Sequence, residues 1–301
     1  MPRVSSRARD LSVQSGDVLL AGTLWMPPVD PTAAVLMHPG SGPSDRHNDV
    51  FFPPIREHLL AEGIAVCSFD KRGVGGSTGS WREAAIEQQA DDALAAVAAL
   101  VSEEGVGVPV GLFGHSQGGW VVVEAASRGA DVAFVIPNSG PGVTPGEQER
   151  YAARTRLELD GADAAAIEDA LESYDALVDT LREGVPLADV RGRIAEADLE
   201  VPVNFELADE ADWELMRALV DYDPRPALER IDVPVLAVFG ADDPIVPVAA
   251  SVAVYEEAVR PELLQIAVFP MADHRMMVGE PPQLAEGYLE ALAAFVCTAA
   301  S

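Results

Sequence analysis

The chain has 301 residues, of which 49% are hydrophobic and 23% charged, the usual proportions of a globular protein. This composition excludes a disordered chain, a collagen and a coiled coil, and two cysteines are too few for a disulfide scaffold. The formal charge of −29 repels nucleic-acid phosphates and anionic lipids, so we expect neither as a partner. The acidity itself fits either a salty environment or a genome rich in arginine and alanine codons.

No apolar segment follows the arginines near the N-terminus, so the sequence predicts no signal peptide. In the alanine-rich stretch the longest apolar run, Ala93–Val101, is too short to span a membrane. We therefore expect a cytoplasmic protein. The oligomeric state stays open.

Short β-branched runs alternate with longer alanine-rich runs along most of the chain, which predicts an α/β fold with helices on both faces of a mostly parallel sheet. The opening stretch Leu11–Trp25 has a Ser-Gly-Asp turn between apolar runs and predicts an antiparallel hairpin. Unbroken apolar runs then predict buried parallel strands. These strands are Ala33–Met37, Ile64–Phe69, Val108–Phe113, Val132–Pro137, Pro234–Phe239 and Leu263–Phe269, with helices expected at about 51–61, 83–103, 117–129, 248–259 and 281–297.

The segment Pro145–Arg225 interrupts this alternation, because it has helical patterns and no buried-strand run. It holds 22 acidic residues and 8 arginines, about half of the excess negative charge. We expect a core of residues 1–144 and 226–301 and a helical cap of residues 145–225. Spacings of three and four residues predict one buried helix face made of Ile167, Leu171, Tyr174, Val178 and Leu181. Trp213, Met216 and Tyr222 fit either a pocket lining or the small core of this segment.

The strongest motif is Gly114-His115-Ser116-Gln117-Gly118, a G-x-S-x-G pattern directly after a predicted strand and before a predicted helix. Such a turn needs strained backbone angles and close approach of neighbouring chain, and glycines remove the side chains that would clash. The turn raises the serine hydroxyl above the sheet, where the helix N-terminus favours negative charge. We expect Ser116 to be a nucleophile.

A serine nucleophile needs a base, and His274 is the only histidine downstream of Ser116. It follows the last predicted strand, at a strand end where open sheets place their sites. An acid that orients this base is expected after the preceding strand, where Asp242 and Asp243 adjoin. We favour Asp243, three residues after Gly240, and keep Asp242 as the alternative.

Negative charge on a reacting carbonyl needs hydrogen-bond donors. The turn His38-Pro39-Gly40-Ser41-Gly42-Pro43 follows the first central strand, and its backbone can present N–H groups. We expect an oxyanion hole whose donors are the backbone N–H groups of Ser41 and of Gln117, next to Ser116. Two such donors stabilise a tetrahedral oxyanion.

These motifs together resemble the α/β-hydrolase superfamily. Within it, the stretches Gly40–Arg46 and Phe69–Ser77 are similar to bacterial esterases related to serine peptidases and dienelactone hydrolases. The resemblance covers about residues 30–145 and 230–280 but not the helical insertion. It implies hydrolysis of a small acyl substrate, a carboxylic ester, through an acyl-enzyme, without a metal or organic cofactor.

The same three side chains would serve several reactions, so other substrates stay open. The alternatives are a peptidase or aminopeptidase, a thioesterase, a lactonase and a carbon–carbon bond hydrolase. A binding protein without activity would normally lack the nucleophile or the base, and both are present here. The neighbouring Asp70, Lys71 and Arg72 look like a catalytic cluster, but we expect them to hold a loop by ion pairing. His115 should point away from Ser116.

Overall fold

A computed structural model describes residues 7–48, 51–103, 106–197 and 209–301. Within these ranges, eight strands form one sheet in the order β1-β2-β4-β3-β5-β6-β7-β8. The strands are β1 (Arg7–Ser15), β2 (Val18–Met26), β3 (Ala33–His38), β4 (Ile64–Phe69), β5 (Val110–His115), β6 (Val132–Asn138), β7 (Val235–Gly240) and β8 (Leu264–Phe269).

The sheet is antiparallel at one edge and parallel elsewhere. The predicted hairpin is confirmed: β1 and β2 pair in antiparallel register from Arg7 with Met26 to Ser15 with Val18. Gly16 turns the chain between them with a φ of 57°, an angle that glycine adopts without strain. β2 also pairs antiparallel with β4, and from β4 to β8 all pairs are parallel. The carboxyl ends of six strands therefore lie at one edge, which is where the candidate site forms.

Ten α-helices connect and cover these strands in the described part of the chain. They are α1 (Phe52–Ala61), α2 (Ile86–Ser102), α3 (Gln117–Ala126), α4 (Pro145–Leu159), α5 (Ala164–Arg182), α6 (Leu187–Ala197), α7 (Glu210–Leu219), α8 (Arg225–Arg230), α9 (Val248–Ala258) and α10 (Tyr288–Ala299). A short 3₁₀ helix at Trp81–Glu83 precedes α2, and a two-stranded ribbon of β9 (Met277–Val278) and β10 (Gln283–Leu284) precedes α10.

The hydrophobic core lies on both faces of the sheet, as the alternation of strands and helices predicts. Apolar side chains of α2, α3, α8 and α9 pack on one face. Those of α1 and α10 pack on the other. Phe134 of β6 is fully buried on this second face, where its ring meets that of Phe295 edge-on at 5.9 Å. The central strands are thus covered on both sides, which explains their unbroken apolar runs.

One helix prediction is wrong at its start. The helix expected from residue 281 begins at Tyr288, because Gly287 has a left-handed φ of 80° that cannot lie inside an α-helix. Residues 283 and 284 pair instead with residues 278 and 277 in the small ribbon. The apolar pattern alone did not distinguish these arrangements.

Helices α4 to α7 all lie in the chain between β6 and β7. The predicted apolar face of this segment is confirmed, since all five of its residues are buried along α5. The sequence left open whether Trp213, Met216 and Tyr222 line a pocket or form the small core of this segment, and the structure places them differently. Trp213 is buried in a small core with α5 and donates to the Val185 carbonyl at 2.8 Å. Met216 also lines a cavity, and Tyr222 packs on the main core.

None of the helices described is long and apolar enough to cross a membrane.

Shortening Phe134 to alanine tests the packing between β6 and α10. We expect Phe134→Ala to reduce the free energy of unfolding by about 3–5 kcal/mol, because it leaves a cavity in a closely packed core. Leu159→Ala is the control, since that side chain is 76% exposed and should change stability by less than about 0.5 kcal/mol. Urea unfolding followed by circular dichroism measures both. Equal losses would contradict the core assignment.

Candidate active site

The G-x-S-x-G motif forms a sharp turn between β5 and α3. β5 runs two residues beyond the predicted strand, to His115, and α3 begins at Gln117. Ser116 joins them with φ 55° and ψ −121°, a conformation that side-chain-bearing residues rarely adopt. Its N–H group donates to the Asn138 carbonyl at 2.9 Å, and its own carbonyl accepts from Gly119. The neighbouring strand β6 therefore holds the turn in place.

Two positions of the motif require glycine, because neighbouring backbone atoms leave no room for a side chain. A Cβ atom at Gly114 would lie 2.0 Å from the Gly118 carbonyl oxygen. A Cβ atom at Gly118 would lie 2.6 Å from the carbonyl oxygen of Pro39. Both distances are far below van der Waals contact, so the turn closes only without these side chains.

The predicted acid and base lie in direct contact. Nδ1 of His274 lies 2.8 Å from Oδ2 of Asp243. The other carboxylate oxygen of Asp243 accepts from the N–H groups of Ile245 and Val246. The Asp243 side chain is fully buried, whereas Asp242 is exposed, so of the two aspartates Asp243 is the one that touches the histidine.

The end of β6 links the histidine loop to the serine turn. Asn138 accepts the N–H of Ser116, and the hydroxyl of the next residue, Ser139, donates to the His274 carbonyl at 2.9 Å. The ring of His115 lies 4.8 Å from the ring of His274, centre to centre. Burial lowers the pKa of His115 well below its ordinary value, so this neighbour is neutral and adds no competing charge. Sequence reasoning gave His115 no role.

The loop that follows β3 lies against the serine turn. A Cβ atom at Gly40 would lie 3.3 Å from the Cβ of Ser116. Ser41 is exposed and Gln117 is buried, and both line the same cavity. Neither of their backbone N–H groups donates to another residue in the described ranges. Both N–H groups therefore lack an acceptor among the described residues, as an oxyanion hole would require.

The loop after β4 braces this region through charged side chains. Asp70 accepts from the backbone and guanidinium of Arg46, at 2.7 and 2.8 Å, and Arg72 donates to Asp92 at 2.8 Å. Burial raises the pKa of Asp70, but hydrogen bonds from Arg46 and Gly76 outweigh it and lower the pKa overall. The ion-pairing expectation is therefore confirmed for Asp70 and Arg72.

The same expectation is wrong for Lys71. This side chain is 7% exposed and forms no ion pair with any residue that the structure describes. Its ammonium donates instead to the carbonyls of Gly40 and Gly42, at 2.7 and 3.2 Å, and to Oε1 of Gln117 at 3.1 Å. Sequence reasoning missed this role because the contacts join residues up to 46 positions apart.

A cavity of about 380 Å³ opens beside Ser41 and Gln117. The predicted insertion supplies most of its wall, and its lining is largely apolar with a few charged groups. Arg82 forms an ion pair with Asp212 of α7 at 2.9 Å, which joins the 3₁₀ helix before α2 to the insertion. The lining residues from the insertion are Pro145, Gly146, Gln148, Glu149, Tyr174, Asp212, Leu215, Met216, Leu219 and Val220.

The residues described do not include a group of three or more His, Cys, Asp or Glu side chains that could hold a metal ion. The chemistry available at this site is that of a serine hydroxyl, an imidazole–carboxylate pair and backbone donors. Such a set can transfer an acyl group to the serine oxygen.

A model of the α/β-hydrolase family matches residues 34–286. The chain therefore belongs to the α/β-hydrolase family, and its sheet order and helices have the α/β-hydrolase fold that the sequence resemblance implied. No curated protein matches the sequence at a significant level.

Several solved structures share the whole fold at low sequence identity. An esterase of Pyrococcus furiosus is 17% identical with a TM-score of 0.66, over 99% of this chain and 93% of that one. The α/β-hydrolase GrgF from Penicillium sp. sh18 is 18% identical with a TM-score of 0.66, over 98% and 99%. The proline iminopeptidase of Mycobacterium smegmatis is 17% identical with a TM-score of 0.60, over 97% and 98%. At these identities the likeness establishes the fold alone.

Substituting Gly118 tests the packing of the serine turn. We expect Gly118→Ala to destabilise the protein by roughly 1–3 kcal/mol, because the new methyl group would collide with the carbonyl oxygens of His38 and Pro39. Gly192→Ala is the matched control, since its Cβ would meet no atom of the described residues within 4 Å. In the helix α6 that change should leave stability unchanged or raise it by up to about 1 kcal/mol. Thermal unfolding compares them, and an unaffected Gly118→Ala would contradict the close contact.

Proposed function

We propose that the protein is a serine hydrolase that cleaves carboxylic esters of small molecules through an acyl-enzyme. The observation that carries the proposal is the 2.8 Å contact between Asp243 and His274, in a loop hydrogen-bonded to the strand that also holds Ser116. An imidazole held by a buried carboxylate at Nδ1 has Nε2 left to take a proton. The strained turn at Ser116 presents the hydroxyl that supplies it.

The proposed reaction has two steps. Ser116 passes its proton to His274 as it attacks the ester carbonyl, and Asp243 holds the imidazole and stabilises its positive charge. The backbone N–H groups of Ser41 and Gln117 receive the oxyanion. His274 then protonates the departing alcohol, and water releases the acid from the acyl-enzyme by the same route.

The cavity beside these donors is the proposed binding site, and the segment 145–225 is proposed to be its cap. An ester is favoured over a charged substrate because most of the described lining is apolar. A volume of about 380 Å³ is at the small end for small-molecule pockets, which favours short acyl groups.

A second candidate is an aminopeptidase. Its support is the acidic part of the lining, where Glu149 and Asp212 contribute carboxylates beside the single described cation Arg82. A substrate ammonium group would be attracted to these carboxylates. Amino-acid p-nitroanilides separate the two functions, since an aminopeptidase hydrolyses these amides and needs their free amino group, whereas an esterase leaves them intact while it hydrolyses p-nitrophenyl butyrate.

Substitution of the acid distinguishes the triad from a chance arrangement. We expect Asp243→Asn to lower kcat for p-nitrophenyl butyrate by on the order of 10⁴-fold, because the histidine then takes the wrong tautomer. Asp242→Asn is the matched control. Its kcat should stay within about threefold of the wild-type value, since the Asp242 side chain is exposed and Asp243 is the aspartate that contacts His274. Equal effects of the two substitutions would contradict the assignment of Asp243.

Acyl chain length tests the pocket. We expect kcat/KM to fall from p-nitrophenyl butyrate to p-nitrophenyl palmitate, because a long chain exceeds the cavity beside Ser41. Met216→Ala removes part of a lining side chain and so enlarges the cavity, which should shift the substrate preference toward longer acyl chains. A preference for palmitate in the wild type would contradict binding in this cavity.

A further inference from the structure

Lys71 is the only lysine of the chain, and its ammonium is buried beside the candidate site without a carboxylate partner in the described ranges. Removing an ammonium from water is costly unless it is paired. Its three acceptors are all neutral: two carbonyl oxygens of the loop after β3 and the side-chain oxygen of Gln117. An arrangement of this cost at a cleft is typical of functional sites.

The first acceptor fixes the direction of a proposed oxyanion donor. The Gly40 carbonyl, which Lys71 holds at 2.7 Å, belongs to the same peptide group as the N–H of Ser41. In a planar trans peptide the C=O and N–H bonds point in opposite directions. The contact with Lys71 behind this carbonyl therefore points the Ser41 N–H away from Lys71, and Ser41 is one of the residues that line the cavity.

The other two acceptors of the Lys71 ammonium lie in two different loops of the candidate site, the loop after β3 and the serine turn. The Gly42 carbonyl, at 3.2 Å, anchors the far side of the Ser41 residue. The third acceptor, at 3.1 Å, is the side-chain Oε1 of Gln117, the residue whose backbone N–H is the second proposed donor. The backbone of Lys71 is fixed too, since its N–H donates to the Ser44 carbonyl at 3.0 Å. One side chain thus connects the loops that carry the two donors.

We infer that Lys71 is a positioning residue that orients the two donors of the oxyanion hole and places a positive charge behind them. The inference rests on the proposed function, because it assigns a role within the proposed reaction. A positive charge at the carbonyl end of a peptide polarises that peptide and strengthens its N–H as a donor. The benefit is largest in the transition state, when the oxyanion forms, so kcat should depend on Lys71 more than KM does.

The charge also makes the reaction sensitive to pH. Burial lowers the pKa of Lys71 from 10.5 to about 7, so the ammonium loses its proton as the pH rises through neutrality. The titratable groups that the structure describes around it include His38, Asp70 and Arg72. Burial and the charge of Lys71 lower the pKa of His38 to about 3, Asp70 and Arg72 are held in ion pairs, and α3 contributes the uncharged Gln117.

Three substitutions separate the hydrogen bonds from the charge. Lys71→Met removes both, Lys71→Gln keeps an N–H donor without charge, and Lys71→Arg keeps the charge. We expect kcat for p-nitrophenyl butyrate to fall on the order of 10- to 100-fold in Lys71→Met, with KM within about threefold. Lys71→Gln should be intermediate, and Lys71→Arg should recover most of the loss. The rate at which a fluorophosphonate labels Ser116 should fall in parallel with kcat.

The pH profile is the second measurement and needs no variant to begin. In the wild type kcat should decline on the alkaline side with a midpoint near the pKa of Lys71, about 7. This decline should be absent in Lys71→Gln. If neither neutral variant folds, the wild-type profile decides: a kcat that shows no alkaline decline up to the ordinary lysine pKa of 10.5 overturns the inference.

Arg72→Met is the control for a purely structural effect, because it removes the neighbouring cation of the same loop, which contacts Asp92. It should lower the melting temperature and leave kcat within about threefold. A folded Lys71→Met with wild-type kcat, or an alkaline decline that persists in Lys71→Gln, overturns the proposed role of Lys71. The proposed function as a hydrolase is not affected by either result. A wild type that neither hydrolyses esters nor takes the fluorophosphonate on Ser116 overturns the proposed function first, and this inference with it.

Discussion

The left-handed backbone at Ser116 is the constraint around which the site is organised. For a residue with a side chain, angles near 55° and −121° cost on the order of 1–3 kcal/mol and persist only where the surroundings enforce them. Here the enforcement comes from three directions: the Asn138 carbonyl on β6, the glycines that let α3 approach β5, and the loop after β3 that touches Ser116. The parallel sheet supplies the frame, because it brings the ends of β3, β5 and β6 to one edge.

Buried charge is distributed unevenly around that turn. Asp70 with Arg46 and Arg72 with Asp92 are paired, so they brace the loop and contribute little net field. Lys71, between them in sequence, points instead at uncharged carbonyls of the site. We infer a local positive charge behind the proposed oxyanion hole, in a chain whose total charge is −29. Local geometry, rather than overall charge, sets the electrostatics where chemistry is proposed.

Local sequence patterns predicted most of the fold, because buried parallel strands and the serine turn have signals within a few residues. The hairpin, the order of strands and helices and the apolar face of α5 are examples. Features that depend on distant contacts were less accessible. The start of α10 was misplaced because a left-handed Gly287 outweighs an apolar pattern, and Lys71 was misread because its acceptors lie 29 to 46 residues away. The spacing from Gly240 favoured Asp243 over Asp242, and in the folded loop Asp243 is the aspartate that contacts His274.

The central claim is that Ser116 carries the acyl group during turnover. The direct test is to mix the protein with p-nitrophenyl butyrate, quench in acid during the first turnovers, and map the modified peptide by mass spectrometry. The account predicts a burst of p-nitrophenol and a butyryl group on Ser116, both absent in Ser116→Ala. Turnover of the ester without any adduct on Ser116, or undiminished turnover by Ser116→Ala, would contradict it.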